Sequence, residues 1–144
     1  MRFNAFVNGN TAIVLFAHGA RDPQWAVPLR RIQRIVAERS PGTPVELAFL
    51  ELMQPSLGEA IRDLAARGVE RVTLVPLFIA QGGHLKQDLP RLLERACADS
   101  PGVSVRVAPA LGEVDTLLAG IADWIVAEHT AGVASGAGFA NPVA

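Results

Sequence analysis

The sequence predicts an α/β domain: a parallel sheet of about four strands with helices on both faces. Three observations carry this. Four short runs are rich in Val, Ile, Leu and Phe: Thr11–Ala17, Val45–Leu50, part of Val69–Ile79, and Val103–Val107. None alternates cleanly with polar residues, as expected of strands covered on both faces. Helical patterns separate them, and a chain of 144 residues suits one domain with one core. Strand–helix alternation implies right-handed crossovers, and the predicted strand order is the flavodoxin-like 2-1-3-4.

Each helix has its own signals. Trp25, Leu29, Ile32 and Val36 recur at helical spacing, with Pro28 early, where a missing N–H does least harm. Leu57, Ile61 and Leu64 form the second stripe, opened by Pro55 and stopped by Gly68. Leu89, Leu92, Leu93 and Ala96 form the third, with Asp88 as N-cap and Pro90 in the first turn. Leu117, Ile121, Trp124 and Ile125 form the fourth, opened by Asp115 or Thr116. The domain is expected to span residues 1–130. Residues 131–144, rich in Gly and Ala, read as a disordered tail.

Composition excludes several functions. The formal net charge of −1 gives no global basic field for nucleic acid or an anionic membrane. The single cysteine, Cys97, allows neither an internal disulfide nor a cysteine-based zinc site; it reads as a small hydrophobe in a helix, in a reducing, cytoplasmic setting. No apolar run reaches the length of a bilayer span. Arg2 ahead of Thr11–Ala17 loosely mimics a signal peptide, but Asn8, Gly9 and Asn10 interrupt the approach, so a buried first strand is the better reading. There is no GxGxxG, Walker A loop or GxSxG elbow.

In open α/β sheets ligands bind beyond the carboxyl ends of the strands, where loops and helix N-termini converge. His18-Gly19-Ala20-Arg21 follows the first strand, Glu51 the second, and Gln81-Gly82-Gly83-His84-Leu85-Lys86 the third. Two of three histidines and a carboxylate among apolar residues thus share one edge. A histidine after a strand is structural about as often as functional; Gly19 beside His18, which lets backbone or a flat ligand approach, favours function. The apolar neighbours of Glu51 favour its burial. Arg21 and Lys86 are either solvated loop charges or ligand contacts, and His129 reads as a surface residue. Ala17-His18-Gly19-Ala20-Arg21 has only a superficial likeness to the Arg-His-Gly of phosphohistidine phosphatases, with arginine on the wrong side.

In order, Ala17–Pro23, Ala48–Glu51 with Gln54-Pro55, Val75–Phe78 through Gly83–Pro90, and Ala108–Gly112 make up a set that resembles the small single-domain sirohydrochlorin chelatases, the CbiX-type cobaltochelatases of the class II chelatase group. The likeness covers roughly Thr11 to Ile125. It implies a chelatase-like fold and insertion of a divalent ion into sirohydrochlorin, for cobalamin or siroheme. Co²⁺ is favoured, with Fe²⁺ or Ni²⁺ as alternatives, and no organic cofactor is implied. By the same resemblance His18 and His84 bind the metal and take part in proton removal, and Glu51 is the acidic residue beside them. A homodimer would recreate the two lobes of longer relatives. Two departures stand out: Ala20 replaces a usual serine, and Trp25-Ala26 a usual asparagine.

The chemistry suits these residues. Insertion exchanges two pyrrole N–H protons for one divalent ion, so the ion must be held weakly enough to leave. Neutral imidazoles bind Co²⁺, Ni²⁺ and Fe²⁺ and can accept protons near neutrality. Arg21 and Lys86, next to the histidines, are candidates for pairing with the carboxylates of the ring. Three rivals remain: a non-catalytic metal or tetrapyrrole carrier, a phosphate- or nucleotide-binding module, and a structural domain with incidental histidines.

Overall fold

The computed structural model describes residues 10–143. Arg2, Asn8 and Gly9, invoked for the leader-like reading, lie outside the described residues, as does Ala144. Four parallel strands, β1 (Thr11–Ala17), β2 (Val45–Phe49), β3 (Arg71–Pro76) and β4 (Ser104–Val107), form one sheet in the order β2-β1-β3-β4. This is the predicted order. The helices are α1 (Ala26–Arg39), α2 (Leu57–Ala66), α3 (Gly83–Cys97) and α4 (Asp115–Ser135), with 3-10 turns at Pro23–Trp25 and Leu111–Glu113.

Strand β1 shows why the apolar runs do not alternate with polar residues. Ala12, Val14 and Phe16 point into a core shared with α2 and α3, which supply Ile61, Leu64 and Leu89. Ile13 and Leu15 point the other way, toward Leu29 and Val36 of α1. Both sets leave water, and each fully buried Leu, Ile or Phe contributes about 1.5–3 kcal/mol. Helix α2 begins where the Ser56 side chain accepts a hydrogen bond from the Glu59 amide at 3.2 Å. It ends before Gly68, whose φ of 86° suits glycine.

Two boundaries differ from prediction. Helix α3 starts at Gly83, with extended Gly82 as its cap and Lys86 N–H donating to the Gly82 carbonyl at 3.2 Å, so Asp88 is not the N-cap. Pro90 lies inside the helix on its exposed side, where the bond it cannot donate faces solvent. Helix α4 runs on to Ser135, five residues into the segment read as a disordered tail. The helix continues through Gly132 and Val133 despite their weak propensity, and Gly136 at φ 67° terminates it. None of its residues is buried. No helix among the described residues is long and apolar enough to cross a membrane.

Two glycines pin loops together. A Cβ on Gly19 would collide with the Glu51 carbonyl, and one on Gly112 with the Ile79 carbonyl, whereas Gly102 has open space around it. Gly19→Ala and Gly112→Ala should each destabilise by about 1–3 kcal/mol, the range for overpacking, while Gly102→Ala stays within about 0.5 kcal/mol; urea midpoints read the difference. Cys97 ends α3, packed against the α2–α3 core. Burial pushes its thiol up, so at pH 8 it should alkylate more slowly than a free cysteine, and urea should abolish the difference.

Candidate metal and tetrapyrrole site

The strand ladder assembles the site. Beyond the ends of the strands, Leu50 N–H donates to the Ala17 carbonyl and Leu77 N–H to the Phe16 carbonyl, both at 2.8 Å. The segments leaving β2 and β3 are thereby fastened to either side of β1, next to His18. The His18 ring lies 4.7 Å, centroid to centroid, from Phe78. Its Nδ1 is 3.1 Å from Glu51 Oε1. With a proton on Nδ1, His18 donates to the carboxylate and leaves the Nε2 lone pair for a metal ion or proton. The Trp25 indole donates to the His18 carbonyl at 2.7 Å, fixing the backbone of the same residue.

Glu51 is exposed, with side-chain accessibility of 41% beside 48% for His18, so its expected burial does not hold. The reason is local. Strand β2 stops at Phe49, and Leu52 adopts φ 64°, a left-handed conformation that non-glycine residues rarely take. The turn lifts Glu51 out of the apolar run and over Gly19.

His84 occupies the first turn of α3 rather than a free loop. It lines a cleft of about 470 Å³ with Leu50, Leu85, Asp88, Arg91, Leu92 and Arg95. Leu50 lines this cleft, and the next residue, Glu51, pairs with His18. His84, Asp88, Arg91 and Arg95 follow the four-, seven- and eleven-residue spacing of one helix face. Lys86, two residues from His84, projects to the opposite side of α3, where its Nζ lies 3.9 Å from Glu113. Arg21 is exposed and forms no ion pair among the described residues. No group of three or more His, Cys, Asp or Glu among the described residues is arranged to hold a metal ion.

The sequence reading missed four residues here. Phe78 reads as core and Trp25 as helix periodicity; the contact of Phe78 with His18 arises once β1 and β3 pair, and that of Trp25 once the 3-10 turn at Pro23–Trp25 folds back on the loop after β1. Arg91 and Arg95 had a legible signal, their spacing from His84, but it required α3 to start at Gly83.

The CbiX family model matches residues 12–127. The chain is 34% identical over 112 residues to the sirohydrochlorin cobaltochelatase of Sulfurisphaera tokodaii, covering 76% of this chain and 85% of that relative. It is 38% identical over 82 residues to the sirohydrochlorin cobaltochelatase of Methanopyrus kandleri, covering 57% of each, so it spans little more than half of that curated relative. Among solved structures, the cobalamin (vitamin B12) biosynthesis CbiX protein of Marinobacter aquaeolei VT8 is similar with a TM-score of 0.75 and 33% identity, over 83% of this chain and 98% of that one. The sirohydrochlorin chelatase SirB of Bacillus subtilis subspecies spizizenii, solved with cobalt, shares the fold at a TM-score of 0.59 and 23% identity, over 72% of this chain and 44% of that one. Matched over most of its length by the family model and by a relative at one-third identity, this chain belongs to the CbiX family.

Proposed function

We propose that this chain is a chelatase that inserts a divalent metal ion, Co²⁺ ahead of Fe²⁺ or Ni²⁺, into sirohydrochlorin, and that it works in the cytoplasm. The observation that carries this is the His18–Glu51 pair, with one imidazole nitrogen engaged and the other left for chemistry. The name borne by the Sulfurisphaera relative supports the substrate and the metal.

The metal is substrate, so its site must release it. Among the described residues, His18 and His84 offer imidazole nitrogens without a closing cage of further protein ligands, which keeps the ion exchangeable. As the ion passes to the ring, each imidazole it vacates becomes a base for one of the two departing pyrrole protons. The carboxylate of Glu51 stabilises the imidazolium that forms at His18. Arg91 and Arg95, on the His84 face of the cleft, and Arg21 beyond His18 would pair with the peripheral carboxylates of the ring. Lys86 joins them only by leaving Glu113. The active species is a homodimer, in which a second copy supplies the other wall around a large flat ring.

Substoichiometric protein mixed anaerobically with sirohydrochlorin and Co²⁺, Fe²⁺ or Ni²⁺ should give multiple turnovers, followed by absorbance. One turnover or fewer would instead indicate a carrier. His18→Ala and His84→Ala should fall toward the protein-free rate. Glu51→Ala should lose about 10–100-fold, the usual effect of removing a group that orients a ligand histidine. Trp25→Phe should lose less, with metal affinity reduced in parallel. Because only neutral imidazole coordinates, metal binding should weaken as the pH is taken into the acid range. Wild-type rates equal to the protein-free control with all three metals would exclude the reaction.

A further inference from the structure

Leu52 is placed against both of its ordinary preferences. Its φ of 64° puts a non-glycine residue in the left-handed region, and its side chain stands 63% exposed. Met53 N–H donates to the Glu51 carbonyl at 2.8 Å, closing a γ-turn around Leu52 of the rare, positive-φ kind. The same carbonyl sits where a Cβ on Gly19 would go, so the turn is pinned from outside. An exposed leucine needs no explanation by itself. A leucine strained into exposure does, because no gain from burial offsets the strain, and such strain gathers at functional sites.

Two more large apolar side chains are exposed at the same edge of the sheet, Ile79 at 62% and Trp25 at 49%. All three flank His18. Leu52 follows Glu51, whose carboxylate meets the imidazole Nδ1; Ile79 follows Phe78, whose ring lies against the imidazole; Trp25 itself donates to the His18 carbonyl. They come from three separate loops, those after β1, β2 and β3. Each main chain is fastened. The Ile79 carbonyl fills the room that a side chain at Gly112 would need. Asp22 caps the 3-10 turn of Trp25 by accepting from Gln24 N–H at 2.9 Å. Apolar side chains on rigid main chain lose little freedom on meeting a ligand.

We propose that Leu52, Ile79 and Trp25 form an apolar clamp that seats one face of the macrocycle beside His18, and that the strained turn at Leu52 serves to present its side chain to the ring. This rests on the chelatase reading and deepens it by naming what recognises the flat face of the substrate. A tetrapyrrole has two unlike surfaces. Its carboxylate edge suits arginine, whereas its broad, polarisable face suits aliphatic and aromatic side chains. Ligand sites commonly combine such an apolar lining with a few placed polar groups, here the imidazole and the carboxylate of Glu51. A second protein copy is a poorer occupant: it would enclose the exposed His18–Glu51 pair in an interface core, where charged groups are depleted.

Leu52→Ser and Ile79→Ser should each weaken binding of metal-free sirohydrochlorin by about five- to tenfold, followed by its absorbance. Affinity for Co²⁺ alone should be unchanged, since neither side chain carries a metal ligand. Leu52→Gly separates the clamp from a structural role. Glycine suits the left-handed turn, so the urea midpoint should equal or exceed that of wild type, while the ring binds as weakly as to Leu52→Ser. Leu52→Met, which keeps the apolar volume, should bind the ring nearly as wild type does. Leu52→Gly and Ile79→Ser variants with wild-type affinity for sirohydrochlorin would overturn the clamp and leave the chelatase reading standing. A wild type that neither binds nor metallates sirohydrochlorin would overturn both. Ring affinity that is lost together with mass in sedimentation, and regained at higher protein concentration, would assign the three side chains to a contact between copies and overturn the proposal.

Discussion

Two backbone hydrogen bonds, Leu50 to Ala17 and Leu77 to Phe16, carry the sheet ladder past the formal ends of β2 and β3. Everything at the reactive edge depends on them. They hold the loops after both neighbouring strands against the last residues of β1, so that Glu51 arrives from one side of His18 and Phe78 from the other. Parallel pairing makes this possible: all strands end at the same edge, and the polar residues that follow them have nowhere else to gather. The apolar core on both faces of β1 keeps that strand in register. A one-residue slip would send Val14 and Phe16 to the wrong face and separate His18 from Glu51.

The arrangement is specific in one half and open in the other. His18 is held at its ring by Glu51 and at its carbonyl by Trp25. His84 stands on the first turn of a helix, beside a cleft bordered by arginines. On the proposed reading a resident metal would need more ligands than these, and two imidazoles, one of them oriented, would suit an ion in transit.

Much of this was legible in the sequence. Strand order followed from four apolar runs separated by helical patterns, and His18, Glu51 and His84 were picked out as residues that follow strands. Burial of Glu51 was misjudged because a left-handed turn at Leu52 has no mark in the sequence: leucine is a poor candidate for it. The start of α3 was misplaced because two glycines and a proline read locally as loop, whereas packing of Leu85, Leu89 and Ala96 on the core outweighs their propensities. The periodicity of Leu117, Ile121, Trp124 and Ile125 marked α4 as a helix, but it says nothing about burial, and all four are exposed. The contact of His18 with Phe78 depends on tertiary placement and left no pattern along the chain, whereas the Trp25 hydrogen bond is made by a local turn that helical periodicity conceals.

Gly19 acts as a spacer of fixed thickness. Because the Glu51 carbonyl occupies the room a side chain would take there, main chain meets main chain, and the gap between the loops bearing His18 and Glu51 is set without reference to any surface side chain. Arg21, Arg91 and Arg95 are exposed and take no part in that spacing. Rim residues can therefore be exchanged without moving the histidine–carboxylate pair, whereas a side chain at the glycine would force the two loops apart.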